Sequence, residues 1–160
     1  MMSILKWIAG VLLCVSGSSA FAADEPVAAL AKELHDKGWI AFSAKADNGT
    51  WDLFVMRPDG SDKRNISNTA DVEEAAVRFS PDATQMLYRA LPKGTKINHD
   101  KWGFQGHLVI AKADGSDPQP FGKDEEYPWA SWSADGKSII CLSTKGIQIV
   151  DIASKKIVRE

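Results

Sequence analysis

An all-β protein assembled from repeated four-stranded units is what the sequence predicts, and three observations predict it. Short apolar, β-branched or aromatic runs follow one another from Trp39 to the last residue, separated by Gly, Pro, Asp and Asn clusters. No stretch after Gly38 keeps a helical period. The same turn is written twice in the same setting, as RPDGSD from Arg57 and as KADGSD from Lys112, each directly after an apolar run. The chain has 160 residues, 44% hydrophobic and 25% charged, an ordinary globular composition that argues against a disordered tail. Its net charge of −2 offers no global attraction to nucleic acid or anionic lipid, and no basic run supplies a local one.

In chain order, the first element is an export signal. Lys6 precedes the apolar stretch WIAGVLLCV, and the small residues SGSSAFA follow, with Ala20-Phe21-Ala22 in the small-x-small form that signal peptidase accepts. The predicted signal peptide is therefore 1–22, and the mature chain starts at Ala23. The apolar run is about half of the roughly 20 residues needed to span a bilayer, so no membrane attachment is expected after cleavage. Cys14 leaves with the signal and is preceded by Leu12 and Leu13 rather than the small residues of a lipid-modified cysteine. Cys141 remains alone in an apolar run and is expected to be a small buried hydrophobe.

Residues 23–38 predict one short helix. Asp24 is placed to cap, Pro26 suits the first turn, Val27, Leu30 and Leu34 share a face, and Gly38 stops it. His35 on this helix is expected to face solvent. Strands are then predicted over 39–44, 53–57, 76–79, 85–90, 107–111, 130–133, 138–143, 147–151 and 156–159.

Superposed, these runs form a repeat over 39–160. DLFVMRPDGSDKRNIS matches HLVIAKADGSDPQPFG, and GIQIVDIASKKIVRE is a weaker third copy with Ser154 in place of the turn glycine. RFSPDATQMLYRA likewise matches SWSADGKSIICLS. Each unit runs aromatic-Ser-Pro/Ala-Asp turn, strand, variable loop, strand, Asp-Gly turn and short strand. Units of this length and order are the mark of propeller blades, which must stack on neighbours to bury their faces. Leu53, Val55, Leu108 and Ile110 alternate with other apolar residues, as strands buried on both faces do. Asp59-Gly60 and Asp114-Gly115 read as hairpin turns, and Ser80 and Ser133 as turn residues.

The motifs WSADGK, FSPDAT and VMRPDGSDKRNIS resemble the repeat of TolB-type β-propellers. The resemblance covers Trp39 to Glu160 as about three units, where that family typically closes six. It implies a partial propeller, read as a truncated part of a larger ring, acting as a non-enzymatic scaffold for a protein partner. Open end blades are expected to favour self-association. Ala83 departs from the glycine of the repeat, and the α/β domain that TolB itself carries ahead of its propeller has no counterpart.

No catalytic, cofactor-binding or metal-ligating residue is assigned. The long insertion over 91–106, with His107 after it, brings together His99, His107, Asp100, Trp102 and Phe104, and loops of this length often carry function. Because oligogalacturonate lyases share the repeat and use His-containing metal sites, the resemblance gives a second expectation, a carbohydrate-active enzyme with a metal in the 91–107 loop. Ser80 and Ser133 lack a nucleophile elbow, and the Asp pairs lack calcium-loop spacing. Asp124-Glu125-Glu126 is expected to be a solvated loop. Trp132 occupies the repeated aromatic position and is expected in the core, whereas Trp51 and Trp102 are placed to meet a ligand. Asn48 and Asn65 match the glycosylation pattern by chance.

Overall fold

The computed structural model describes residues 25–97 and 105–160. The predicted signal, the Asp24 cap, His99, Asp100, Trp102 and Phe104 lie outside them. Among the described residues one helix, α1 (Glu25–Leu34), precedes eleven strands: β1 (Ile40–Lys45), β2 (Trp51–Met56), β3 (Arg64–Asn65), β4 (Val72–Phe79), β5 (Gln85–Pro92), β6 (His107–Lys112), β7 (Gln119–Phe121), β8 (Ser131–Trp132), β9 (Ser138–Ser143), β10 (Gly146–Asp151) and β11 (Ile157–Arg159).

The strands form three antiparallel sheets in simple meander order, β1-β2-β3, β4-β5-β6-β7 and β8-β9-β10-β11. These are three blades of a β-propeller. The first has three strands among the described residues, with α1 rather than a Ser-Pro-Asp turn and strand ahead of Ile40. The strand that opens the second blade is longer than predicted, starting at Val72 rather than Ala76. Glu73 and Glu74, which the sequence places outside a strand, are in it and buried. Its pairing with β5 shifts between Ala75 and Arg78, where Ala76 takes a positive φ of 60°.

Blade 2 shows why the repeat needs neighbours. Met86, Tyr88, Val109 and Ala111 alternate onto one face and pack with Leu53 of blade 1. Leu87, Leu108, Ile110 and Phe121 take the other and pack with Trp132, Ile139, Cys141 and Val150 of blade 3. A side chain buried as fully as Leu87 or Leu108 stabilises by about 1.5–3 kcal/mol. Trp132 and Cys141 are therefore core, as predicted, and the indole N–H of Trp132 donates to the Arg78 carbonyl at 3.2 Å.

The repeated turns coincide bond for bond. Ser80 N–H donates to the Gln85 carbonyl and Ser133 N–H to the Ser138 carbonyl, at 2.9 and 2.8 Å. The Ser80 and Ser133 hydroxyls donate to Asp82 and Asp135, each at 2.6 Å. Ala83 adopts the left-handed conformation of its counterpart Gly136, with φ 57° against 70°, so the turn keeps its geometry without glycine. In the Asp-Gly turns, Asp59 accepts from the Ser61 amide and hydroxyl, and Asp114 accepts from Ser116 in the same way. Gly115 is required twice over, since φ is 87° and a Cβ would lie 2.5 Å from the Ile66 carbonyl oxygen. The third copy differs from its predicted form. The left-handed residue is Lys155 (φ 54°), not Ser154, because this loop is one residue longer and closes from Asp151 to Lys156.

The helix does not behave as its amphipathic pattern predicts. None of its residues is buried, and Val27 and Leu30 are more than half exposed. No helix among the described residues is long and apolar enough to cross a membrane.

Candidate functional site

The meander order sends successive connections of each blade to opposite ends. The short turns over 80–84, 133–137, 57–61, 112–116 and 151–156 lie at one end, tied together by Ala113 N–H to the Thr84 carbonyl and Ile152 N–H to the Lys137 carbonyl, both 3.0 Å. The long connection of blade 2 leaves and re-enters the sheet at the other end, through 93–97 and 105–106, where 122–130 also runs between blades 2 and 3, and Glu125 N–H ties the two at the Gly106 carbonyl, 2.7 Å away.

A buried cation organises that loop end. Arg89 is 2% exposed on β5 and makes no carboxylate pair among the described residues. Its guanidinium donates to four backbone carbonyls: Gln105 at 2.8 Å, Gly106 at 2.6 Å, and Glu126 and Tyr127 at 3.2 Å each. One side chain thereby fixes the returning end of the long insertion and the interblade loop together. Burial lowers its pKa, opposed by the charges of Asp124 and Glu125, yet an arginine stays charged under these conditions. The clamped loop is strained: Glu125, Tyr127 and Trp129 alternate through positive φ values of 63°, 55° and 56°. Each such residue costs about 1–3 kcal/mol and persists only where surroundings over-determine it.

Around this clamp the predicted residues fall as follows. His107, the described member of the His cluster, places Nδ1 3.3 Å from Asp124 Oδ1. Asp124 and Glu125 are exposed as expected, but Glu126 is half-buried and accepts the Lys123 amide at 2.7 Å, so the acidic run is only partly solvated. Trp51 opens β2 directly after the turn at 46–50, half-buried, and its amide donates to Glu73 at 2.7 Å. Asn65 is occupied by structure, donating to Asp52 at 2.6 Å and accepting from Ser67 and Asn68. No group of three or more His, Cys, Asp or Glu side chains among the described residues is arranged to hold a metal ion.

His35 corrects the sequence reading. It is only partly exposed and bonds Asp59 at 2.7 Å, joining α1 to the turn end of blade 1. Beside that joint a cleft of about 340 Å³ opens between blades 1 and 2. Its Trp39 ring is covered by the guanidinium groups of Arg57 and Arg64, 3.9 and 4.6 Å from the ring centre. Arg89, Glu73 and Glu74 were the residues sequence reasoning missed. Their one signal was a charged residue inside an apolar or alternating run.

Solved structures share this architecture. TolB from Acinetobacter baumannii matches over 78% of this chain and 31% of its own, with 19% identity and a TM-score of 0.57. A putative TolB from Agrobacterium tumefaciens matches 78% and 42%, at 17% identity and TM-score 0.57. An oligogalacturonate lyase in complex with manganese matches 78% and 33%, at 13% identity and TM-score 0.55. The chain spans about a third of the length of these structures. No protein-family model and no curated protein sequence matches it. The likeness defines the class: a β-propeller segment with the blade architecture of TolB.

Proposed function

We propose that the chain is an exported, non-enzymatic propeller scaffold of the TolB repeat type that binds a protein partner through its loop-end rim, at 91–107 and 122–130. The observation that carries this reading is the Arg89 clamp. A buried cation bonds two carbonyls of one short loop that carries three left-handed non-glycine residues, so the conformation of this rim is fixed at a cost in backbone strain. The rim so fixed presents Asp124 and Glu125 in solvent beside the partly buried Tyr127, a charged and aromatic surface of the kind that protein interfaces use. Export rests on the 1–22 signal pattern and places the scaffold in the periplasm or outside the cell.

A photo-crosslinking side chain at Asp124, compared with one at Asp62 on the turn end, tests the reading in cells exporting the chain. A discrete adduct from Asp124 alone is expected. An adduct from Asp62 alone, or none, overturns it. The second reading, an oligogalacturonate lyase-like enzyme, is favoured by the His107–Asp124 pair at the mouth of the long insertion. It requires one divalent metal per purified chain, lost together with cleavage of pectic oligosaccharide in His107→Ala.

A further inference from the structure

The outer faces of blades 1 and 3 carry apolar side chains without a covering sheet among the described residues. On blade 3 these are Ile140, Leu142, Ile147 and Ile149, with Leu142 46% and Ile147 60% exposed. On blade 1 the rings of Phe42 and Phe54 stack at 5.8 Å beside Ile40, which is 39% exposed.

The repeat shows what each face fits. The residue opening the last hairpin turn of each unit, Arg57, Lys112 or Asp151, sets a common register. In that register Phe42 and Phe54 fall on Tyr88 and Val109, which blade 2 packs against blade 1. Ile140, Ile147 and Ile149 fall on Leu87, Leu108 and Ile110, which blade 2 packs against blade 3. One free face therefore has the positions that grip a preceding blade, and the other has those that grip a following one. Charge agrees with shape. A cleft of about 310 Å³ on blade 1 is lined by Lys45 and Lys63 against the single acid Asp47, and Lys63 Nζ lies 5.2 Å from the Phe54 ring centre. A cleft of about 650 Å³ on blade 3 is lined by Glu125 and Glu126 over Leu142.

We infer that two copies of this chain associate head to tail, the outer face of blade 3 in each seating the outer face of blade 1 in the other. Such a contact joins unlike patches, so it either closes or grows into a fibre. The described residues of two copies bring together six blades, within the four to eight that propellers close, whereas those of three would bring nine. The inference does not depend on what the loop-end rim binds.

Size-exclusion chromatography with light scattering on the chain from Ala23 provides the test. A particle of twice the chain mass is expected for the wild type. Ile147→Glu alone and Phe54→Arg alone should each give monomers with dissociation constants raised at least tenfold. An equimolar mixture of the two should recover a dimer, because one of its two junctions is then wild type on both sides. Ile40→Arg replaces Phe54→Arg if the latter loses its cooperative melting. A wild-type monomer, an open-ended polymer, or a Phe54→Arg variant that stays dimeric while Ile147→Glu does not would each overturn the proposal, the last by showing a like-to-like contact between blade 3 faces.

Discussion

His35 Nδ1 on the first helix lies 2.7 Å from Asp59 Oδ2 in the Asp-Gly turn of blade 1. The two oxygens of Asp59 divide the work: Oδ1 accepts from the Ser61 amide and hydroxyl, as Asp114 does from Ser116, and Oδ2 is left to hold the helix. The hydrogen bond to Asp59 raises the His35 pKa above 6.5, against a smaller desolvation effect. Hydrogen bonds from Ser61, then His35, hold Asp59 down at about 2.

The sign of the resulting pH dependence follows from these shifts. The His35 contribution is complete below pH 6.5 and is lost as pH rises through its raised value. The Asp59 contribution is complete above its ordinary value of 3.8 and is lost as pH falls toward 2. Helix docking should therefore be strongest between about pH 4 and 6.5. An NMR titration of the His35 ring should show Asp59→Asn returning its pKa toward 6.5, with Asp114→Asn leaving it unchanged.

Glu74, in the first strand of blade 2 beside Asp52 of blade 1, gives a trend opposite to that of Asp59. It is 1% exposed, and its Oε2 has no hydrogen-bond partner. Burial pushes its pKa up to about 7, helped by the charge of Asp52 and opposed by hydrogen bonds from Ser67 and the Leu53 amide. Native and unfolded states are both protonated below pH 4.5. Above it the unfolded chain ionises first, so stability falls until about pH 7 and then levels. The loss is on the order of 3 kcal/mol, at 1.36 kcal/mol per unit of pKa difference. Denaturant titrations of wild type and Glu74→Gln across pH 4–8 should differ in slope over this window and run parallel above it.

The blades were legible in the sequence because their determinants are local. Period-two alternation located β9 to the residue, and the Ser-Asp turns set the register of units whose bonds then coincide. What escaped depends on contacts distant in sequence. β3 and β7, the short strands expected after the Asp-Gly turns, have two and three residues, too few for alternation to set their bounds. Glu73 reads as a surface residue until its carboxylate is seen accepting the amides of Trp51 and Gly94, 22 and 21 positions away. Arg89 reads likewise until its carbonyl partners converge from two loops. At the candidate site only the long insertion was legible, and the clamp that fixes it was not.

Ala83 offers a test of turn chemistry, since it holds φ 57° where its repeat partner is glycine. The left-handed conformation costs a non-glycine residue about 1–2 kcal/mol, while glycine gives the unfolded chain extra entropy worth about 0.4–1 kcal/mol. Ala83→Gly should then stabilise by about 0.5–1 kcal/mol, and Gly136→Ala should destabilise by a similar amount. Gly115→Ala should cost more than either, because its Cβ also meets the Ile66 carbonyl. Urea midpoints of the three variants order these effects.

Arg89 is where fold and candidate site meet. Arg89→Met keeps most of the side-chain volume but leaves the carbonyls of Gln105, Gly106, Glu126 and Tyr127 without their donor. Buried polar groups left unpaired cost about 1–3 kcal/mol each, and these lie near solvent that can re-solvate some of them, so a total loss of about 3 kcal/mol is expected. Arg89→Lys should recover only part of it, because an ammonium has three donors on one nitrogen and cannot reach four carbonyls served by the three nitrogens of a guanidinium. The local effect should exceed the global one. In hydrogen exchange, the Glu125 amide, bonded to the Gly106 carbonyl, and the Leu142 amide, bonded to the Pro128 carbonyl, should lose protection in Arg89→Met. The Ile139 amide, in the blade 3 core, should slow or quicken only with overall stability. Equal changes at all three would assign Arg89 to the core alone and remove its role in holding the rim.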